Sequence, residues 1–94
     1  MYIDDIIWLP NIVEKLEVKH HVTQDEVEEV FLDHPKYRFV ESGYKNGEDV
    51  YSVSGVTEAN RYLIVFFIHK HNHRALILSA RAMDKKERRR YARK

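Results

Sequence analysis

The chain has 94 residues and a mass of 11.3 kDa, enough for one domain over residues 1–94 and too few for two independent cores. Hydrophobic residues make up 44% and charged residues 33%, a globular balance that argues against disorder. The absence of cysteine excludes disulfide frameworks, thiolate zinc sites and cysteine nucleophiles.

The net charge of +1 conceals a strong asymmetry. Residues 1–35 hold nine acidic and two basic side chains, while the rest hold fourteen basic and six acidic. Eight of the basic residues fall between Arg81 and Lys94. Halves of opposite sign suit a polyanion or acidic partner at the basic end, or two solvated helix faces. The longest apolar run, Tyr62–Ile68, spans seven residues against the roughly 20 of a membrane-crossing helix. No signal-peptide pattern opens the sequence, and a cytoplasmic setting is expected.

In chain order, Ile3, Ile6, Ile7 and Trp8 form a short β-prone cluster that Pro10 stops. Ile12 and Leu16 carry helical spacing toward Lys19 and His20, and His21-Val22 breaks that helix. Thr23-Gln24-Asp25-Glu26 is a capping box that opens a second helix, with Val22 and Val27 at hydrophobic-staple spacing. Val27, Val30 and Phe31 continue its buried face, and Asp33-His34-Pro35 ends it.

From Tyr37 to Ala82 the pattern predicts strands: Arg38–Ser42, a turn through Asn46-Gly47, Val50–Ser54 closed by Gly55, and the apolar run Tyr62–Ile68. Lys70–His73 reads as a hairpin loop before a strand Ala75–Ala82. Asp84-Lys85-Lys86-Glu87 caps a last helix. The order strand, two helices, four strands, helix predicts an α+β sandwich with a meandering antiparallel sheet. Ile12, Leu16, Val27, Val30 and Phe31 should hold the early helices on one face.

Three places could carry chemistry. His69, His71 and His73 alternate, so on a strand they would share a face suited to a metal ion. They fall at a hairpin tip without an adjoining carboxylate, so exposed loop histidines are the preferred reading, with no metal or cofactor expected. The basic end (Lys85, Lys86, Arg88, Arg89, Arg90, Arg93 and Lys94) is either a solvated tail or a phosphate-binding helix. The third set is scattered: Lys19 and His20 at a helix end, Arg81 at a strand exit, and Glu87 and Tyr91 on one helical face. Cations, a tyrosine and one acid are what metal-free RNA cleavage by the 2′-hydroxyl needs, although each residue has a capping or packing alternative.

These residues also carry a resemblance. Trp8, Asn11, Lys19-His20, Val22, Thr23 and Glu26–Phe31, then Gly55 and Arg61-Tyr62-Leu63, then Ser79-Ala80-Arg81, Met83 and Lys85–Tyr91 are similar in order and spacing to the BrnT family of type II toxin–antitoxin toxins. The resemblance covers essentially the whole chain. It implies a RelE-like fold and a metal-independent RNA endonuclease, an mRNA interferase that stops translation. It also implies a cognate BrnA-like DNA-binding antitoxin and a toxin–antitoxin hetero-oligomer, with no cofactor and no membrane. The active-site residues it implies are Lys19, His20, Arg81, Glu87 and Tyr91, with Arg61, Arg74, Arg88 and Arg89 as RNA contacts.

Three positions depart from the family pattern. His21 stands where glycine is common after Lys-His, so a different turn is expected there. Leu9 replaces an aspartate after the tryptophan, and Val50 an arginine at the start of the third strand. The last change keeps a second reading open, a degenerate module that engages an antitoxin or RNA without cleavage.

Overall fold

The computed structural model describes residues 1–45 and 47–93. Its strands are β1 (Asp5–Ile7), β2 (Lys36–Glu41), β3 (Val50–Val56), β4 (Tyr62–Lys70) and β5 (Arg74–Ala82). The helices are α1 (Pro10–Lys15), extended by a π-helical turn Leu16–His20, then α2 (Gln24–Leu32) and α3 (Lys85–Ala92). This is the expected element order and the expected α+β class. Two details differ. β1 pairs parallel to β5, so the sheet is mixed, in the order β1-β5-β4-β3-β2, with only β2–β5 as an antiparallel meander. The first helix also widens into a π turn where a single α-helix was expected.

Pairing registers divide the sheet into two faces. Val53 opposes Val65, and Val65 opposes Ala80, and these residues are fully buried with Leu63, Phe67 and Ile77. Leu16, Val22, Val27 and Val30 from the helices complete the same core, with Ile12 and Phe31 packed at its margin. Phe31 and Phe67 meet edge to face at 5.5 Å. Strand alternation sends Ile64, Phe66, Ser54 and Arg81 to the opposite face, where α3 lies. Gly55 is required where α2 crosses β3, because an added Cβ would lie 2.8 Å from the Val30 carbonyl oxygen.

Helix ends follow local chemistry. Thr23 and Glu26 form the reciprocal capping box, with Thr23 Oγ1 accepting from the Glu26 amide at 3.2 Å and Glu26 Oε1 accepting from the Thr23 amide at 3.0 Å. Asp84 and Glu87 form a second one at α3. α1 has no such cap: Leu9 occupies the N-cap position without a side-chain hydrogen bond. After the π turn, His21 adopts the left-handed conformation, φ 54° and ψ 41°, and its amide donates to the Leu16 carbonyl. The expected different turn is therefore not found; the backbone is the one glycine favours, held by a residue with a Cβ. The predicted Asn46-Gly47 turn lies partly outside the described residues, and Gly47 itself has φ 77°.

Two stabilising substitutions follow. Leu9→Asp should supply the missing α1 cap, and His21→Gly should relieve the left-handed residue, each by about 1 kcal/mol. In thermal melts each should raise Tm by roughly 4–8 °C for a domain of this size. An unchanged Tm in both would refute this account of the two helix ends.

Candidate active site

β5 delivers Arg81 opposite Ile64 on the α3 face, and the chain then turns through Met83, whose amide donates to the Tyr62 carbonyl at 2.9 Å. Asp84 caps α3 by accepting from the Glu87 amide at 2.7 Å. In return, Glu87 Oε1 accepts from the Asp84 amide at 2.9 Å. The same carboxylate receives both prongs of the Arg81 guanidinium, Nη1 at 2.7 Å and Nη2 at 2.9 Å. This fork-to-fork pair is the geometry in which charge-assisted hydrogen bonds are strongest. Arg81 Nη1 also donates to the Ala82 carbonyl at 3.2 Å, and the guanidinium lies 5.6 Å over the Phe66 ring.

The electrostatics assign roles. The Arg81 hydrogen bonds hold the Glu87 carboxyl below its usual range against the opposing effect of burial, and Glu87 raises Arg81 in turn. Glu87 is thus an ionised acceptor occupied by Arg81 and the helix cap, an arrangement that positions the arginine. Tyr91, four residues on, donates its hydroxyl to the His34 carbonyl at 3.2 Å. Its ring meets Tyr62 edge to face at 6.2 Å, and the Lys36 ammonium sits 5.0 Å from its centroid. Burial, aided by the charge of Asp33 and by Tyr62, pushes the Tyr91 hydroxyl up, so it keeps its proton at neutral pH.

Glu87 and Tyr91 border a cleft of about 190 Å³ with Lys36, Arg38, Ser54, Ile64 and Arg90. The sequence reading missed Lys36 and Arg38, and it placed Arg90 only in the basic tail. The signal for the first two was strand alternation, since residues two apart on β2 share one face. Lys36 also donates to the carbonyls of Tyr91 and Arg93, fastening the end of α3 to β2.

The other expected residues are distributed differently. Lys19 and His20 end the π turn, which packs on the helix side of the sheet through the buried Leu16. Among the described residues they share no hydrogen bond or ion pair with Arg81, Glu87 or Tyr91. Arg61 is committed to structure: Nη1 donates to the His21 carbonyl at 2.7 Å and to Glu26 Oε2 at 2.8 Å. Burial pushes Glu26 up, but the Thr23 and Arg61 hydrogen bonds prevail and leave it below its ordinary value. Arg74 donates to the His71 carbonyl at the hairpin. Arg88 lies over the Tyr62 ring at 4.2 Å, and Arg89 is exposed. His71 and His73 fall in the β4–β5 turn. Among the described residues, no group of three or more His, Asp or Glu is placed to hold a metal ion, and no helix is long and apolar enough to cross a membrane.

The structure is thus a small α+β domain with a cationic cleft bordered by Glu87, the carboxylate that braces Arg81. Residues 8–87 match the family model described as "Ribonuclease toxin, BrnT, of type II toxin-antitoxin system", and the chain belongs to that family. It is a ribonuclease toxin of a type II toxin–antitoxin system, which implies a cognate antitoxin and an RNA substrate. A comparison with curated proteins gave no match.

The depressed Glu87 carboxyl fixes a pH dependence. A carboxylate whose folded value lies below its unfolded one contributes stability above the unfolded pKa, about 4.3, and loses it as pH falls through the folded value. Glu87→Gln should cost about 1 kcal/mol near neutral pH, and that gap should narrow as pH falls below the unfolded carboxyl value and the Glu87 carboxylate takes up its proton. Melting curves of both proteins across this window would check it; a gap independent of pH would contradict the ionised pair.

Proposed function

We propose that this ribonuclease cleaves RNA by internal attack of the 2′-hydroxyl, without a metal ion, with Arg81 on the scissile phosphate. The observation that carries this reading is the Arg81 fork, held by Glu87, whose side chain in turn borders a cleft that presents Arg38 and Arg90. The 2′-oxygen gives its proton to solvent water and forms a bond to phosphorus as the bond to the 5′-oxygen breaks. The departing 5′-oxygen takes a proton from an acid which solvent then reprotonates, giving a 2′,3′-cyclic phosphate and a 5′-hydroxyl. The transition state gathers negative charge on the non-bridging oxygens, and preorganised guanidinium donors are the groups that stabilise it.

In this reading Glu87 positions Arg81, and Tyr91, which keeps its proton, gives it to the departing 5′-oxygen. Lys19 and His20 end the turn that packs on β5 from the opposite face, so the charge they lend Arg81 acts through the sheet and not by contact with the scissile phosphate. Arg89 meets the RNA backbone farther along α3, whereas Arg61 and Arg74 act first through their own protein contacts. The antitoxin is a BrnA-like DNA-binding protein that occludes the toxin in a hetero-oligomer.

Purified protein should cleave RNA in the presence of EDTA and leave 5′-hydroxyl ends. Arg81→Ala should slow cleavage by about 100-fold or more, the scale of one lost preorganised contact, and abolish growth arrest on expression. A full cleavage rate in that variant would exclude the proposed site. Cleavage lost on chelation and restored by zinc or magnesium would replace the metal-free mechanism. RNA binding without cleavage under any condition would establish the degenerate module, to which Val50 on the open sheet face opposite Ile68 lends support.

A further inference from the structure

We propose that the recess beside Arg81, floored by the Arg88–Tyr62 stack, is a subsite for one unpaired purine base of the substrate RNA. This rests on the ribonuclease reading above and adds to it the part of the substrate that no phosphate contact reads. The recess encloses about 270 Å³, ample for a nucleobase, and is lined by Asn60, Tyr62, Ala82, Met83 and Arg88 together with Arg61.

Its chemistry differs from that of the rest of the basic helix. The Arg88 guanidinium lies over the Tyr62 ring, 4.2 Å from its centroid, while the residue as a whole is exposed. A guanidinium carbon 4.2 Å from a ring centroid is within cation–π range, and an arginine plane is one of the surfaces on which unstacked RNA bases are received. Arg88 has no ion-pair partner among the described residues, in contrast to Arg61 and Arg81. Met83, 7% exposed, forms an apolar wall. Asn60 is held by its backbone, whose amide donates to the Thr57 carbonyl at 2.9 Å, and its exposed carboxamide makes no hydrogen bond among the described residues. A carboxamide presents one donor edge and one acceptor edge, the pairing that adenine complements through N6 and N7. Ala82 joins the recess to the phosphate site directly, because its carbonyl accepts from Arg81 Nη1 at 3.2 Å. A nucleotide whose phosphate meets Arg81 therefore has this recess one residue along the chain from its phosphate contact.

The competing role is that Arg88 merely packs α3 onto β4. Short 2′-O-methyl RNAs, which cannot cleave themselves, carrying 2-aminopurine at successive positions distinguish the two. Stacking should quench the probe at one position on the native protein. Arg88→Lys keeps the charge but removes the plane; it should abolish that quench and weaken binding about tenfold. Lys86→Ala removes a charge from the same helix, and should lower affinity through the salt-dependent term while the quench remains. Asn60→Ala should reduce the preference for a purine at the quenched position. Quench retained in Arg88→Lys, or equal losses in Arg88→Lys and Lys86→Ala, would overturn the subsite. So would a lowered Tm in Arg88→Lys with quench and affinity intact. Failure of the native protein to bind the oligonucleotides overturns it as well. In that case, unmodified RNA separates the two failures: continued cleavage spares the mechanism, and none removes both.

Discussion

The Glu87 carboxylate is the point on which the second face of this protein depends. It accepts from the Asp84 amide and from both prongs of Arg81, so one side chain starts α3, ends β5 and fixes the catalytic candidate. The two hydrogen bonds of this bidentate pair set the plane of the guanidinium as well as its distance, which a single contact could not. Because α3 begins there, the same contact sets the azimuth of Arg88, Arg90 and Tyr91. Lys36 fastens the far end of the helix to β2, so a basic helix with no buried residue is still held at both ends.

That helix needs such fastening because the core lies on the other side of the sheet. Leu16, Val22, Val27 and Val30 fill the space above Val53, Leu63, Val65 and Phe67, and most of the hydrophobic stabilisation comes from that layer. The division explains the charge asymmetry of the sequence. Acidic side chains decorate the early helices, which pack on the core, whereas Arg38, Arg81 and Arg90 lie on the α3 side of the sheet. On the proposed reading, an acidic outer layer repels RNA from the packing side and the basic layer attracts it to the α3 side.

Much of this was legible in the sequence because it is written in local chemistry. Thr23 with Glu26, and Asp84 with Glu87, are spaced for reciprocal caps whatever surrounds them, and both form. The five apolar residues assigned to the helix–sheet contact all lie in or against the core. What stayed hidden depends on partners distant in sequence. Nothing within Asp5–Ile7 specifies a parallel partner 69 residues away at Arg74–Leu76. Arg61 reads as a free strand-end cation until Glu26 and the His21 carbonyl are placed beside it. Lys36 and Arg38 join the cleft only through the β2–β3 register, which a sequence pattern leaves open.

The departures from the family pattern can now be separated by what they touch. Leu9 and His21 sit at helix ends on the packing side, so their consequences are backbone strain and a missing cap. Val50 alone faces the open side. It opposes Ile68, and along β3 it lies two residues from Ser52, which opposes Arg38. Residues related in this way are diagonal neighbours on one face, about 7–8 Å apart, within reach of an arginine side chain. A cation at position 50 and the one at Arg38 would therefore serve the same region of the sheet. With Arg38 present, the valine shifts the source of positive charge by one strand and leaves the Arg81–Glu87 pair unaltered. On the proposed reading the substitution bears on how RNA runs across the sheet, while the groups proposed for bond cleavage stand toward the other end of β4.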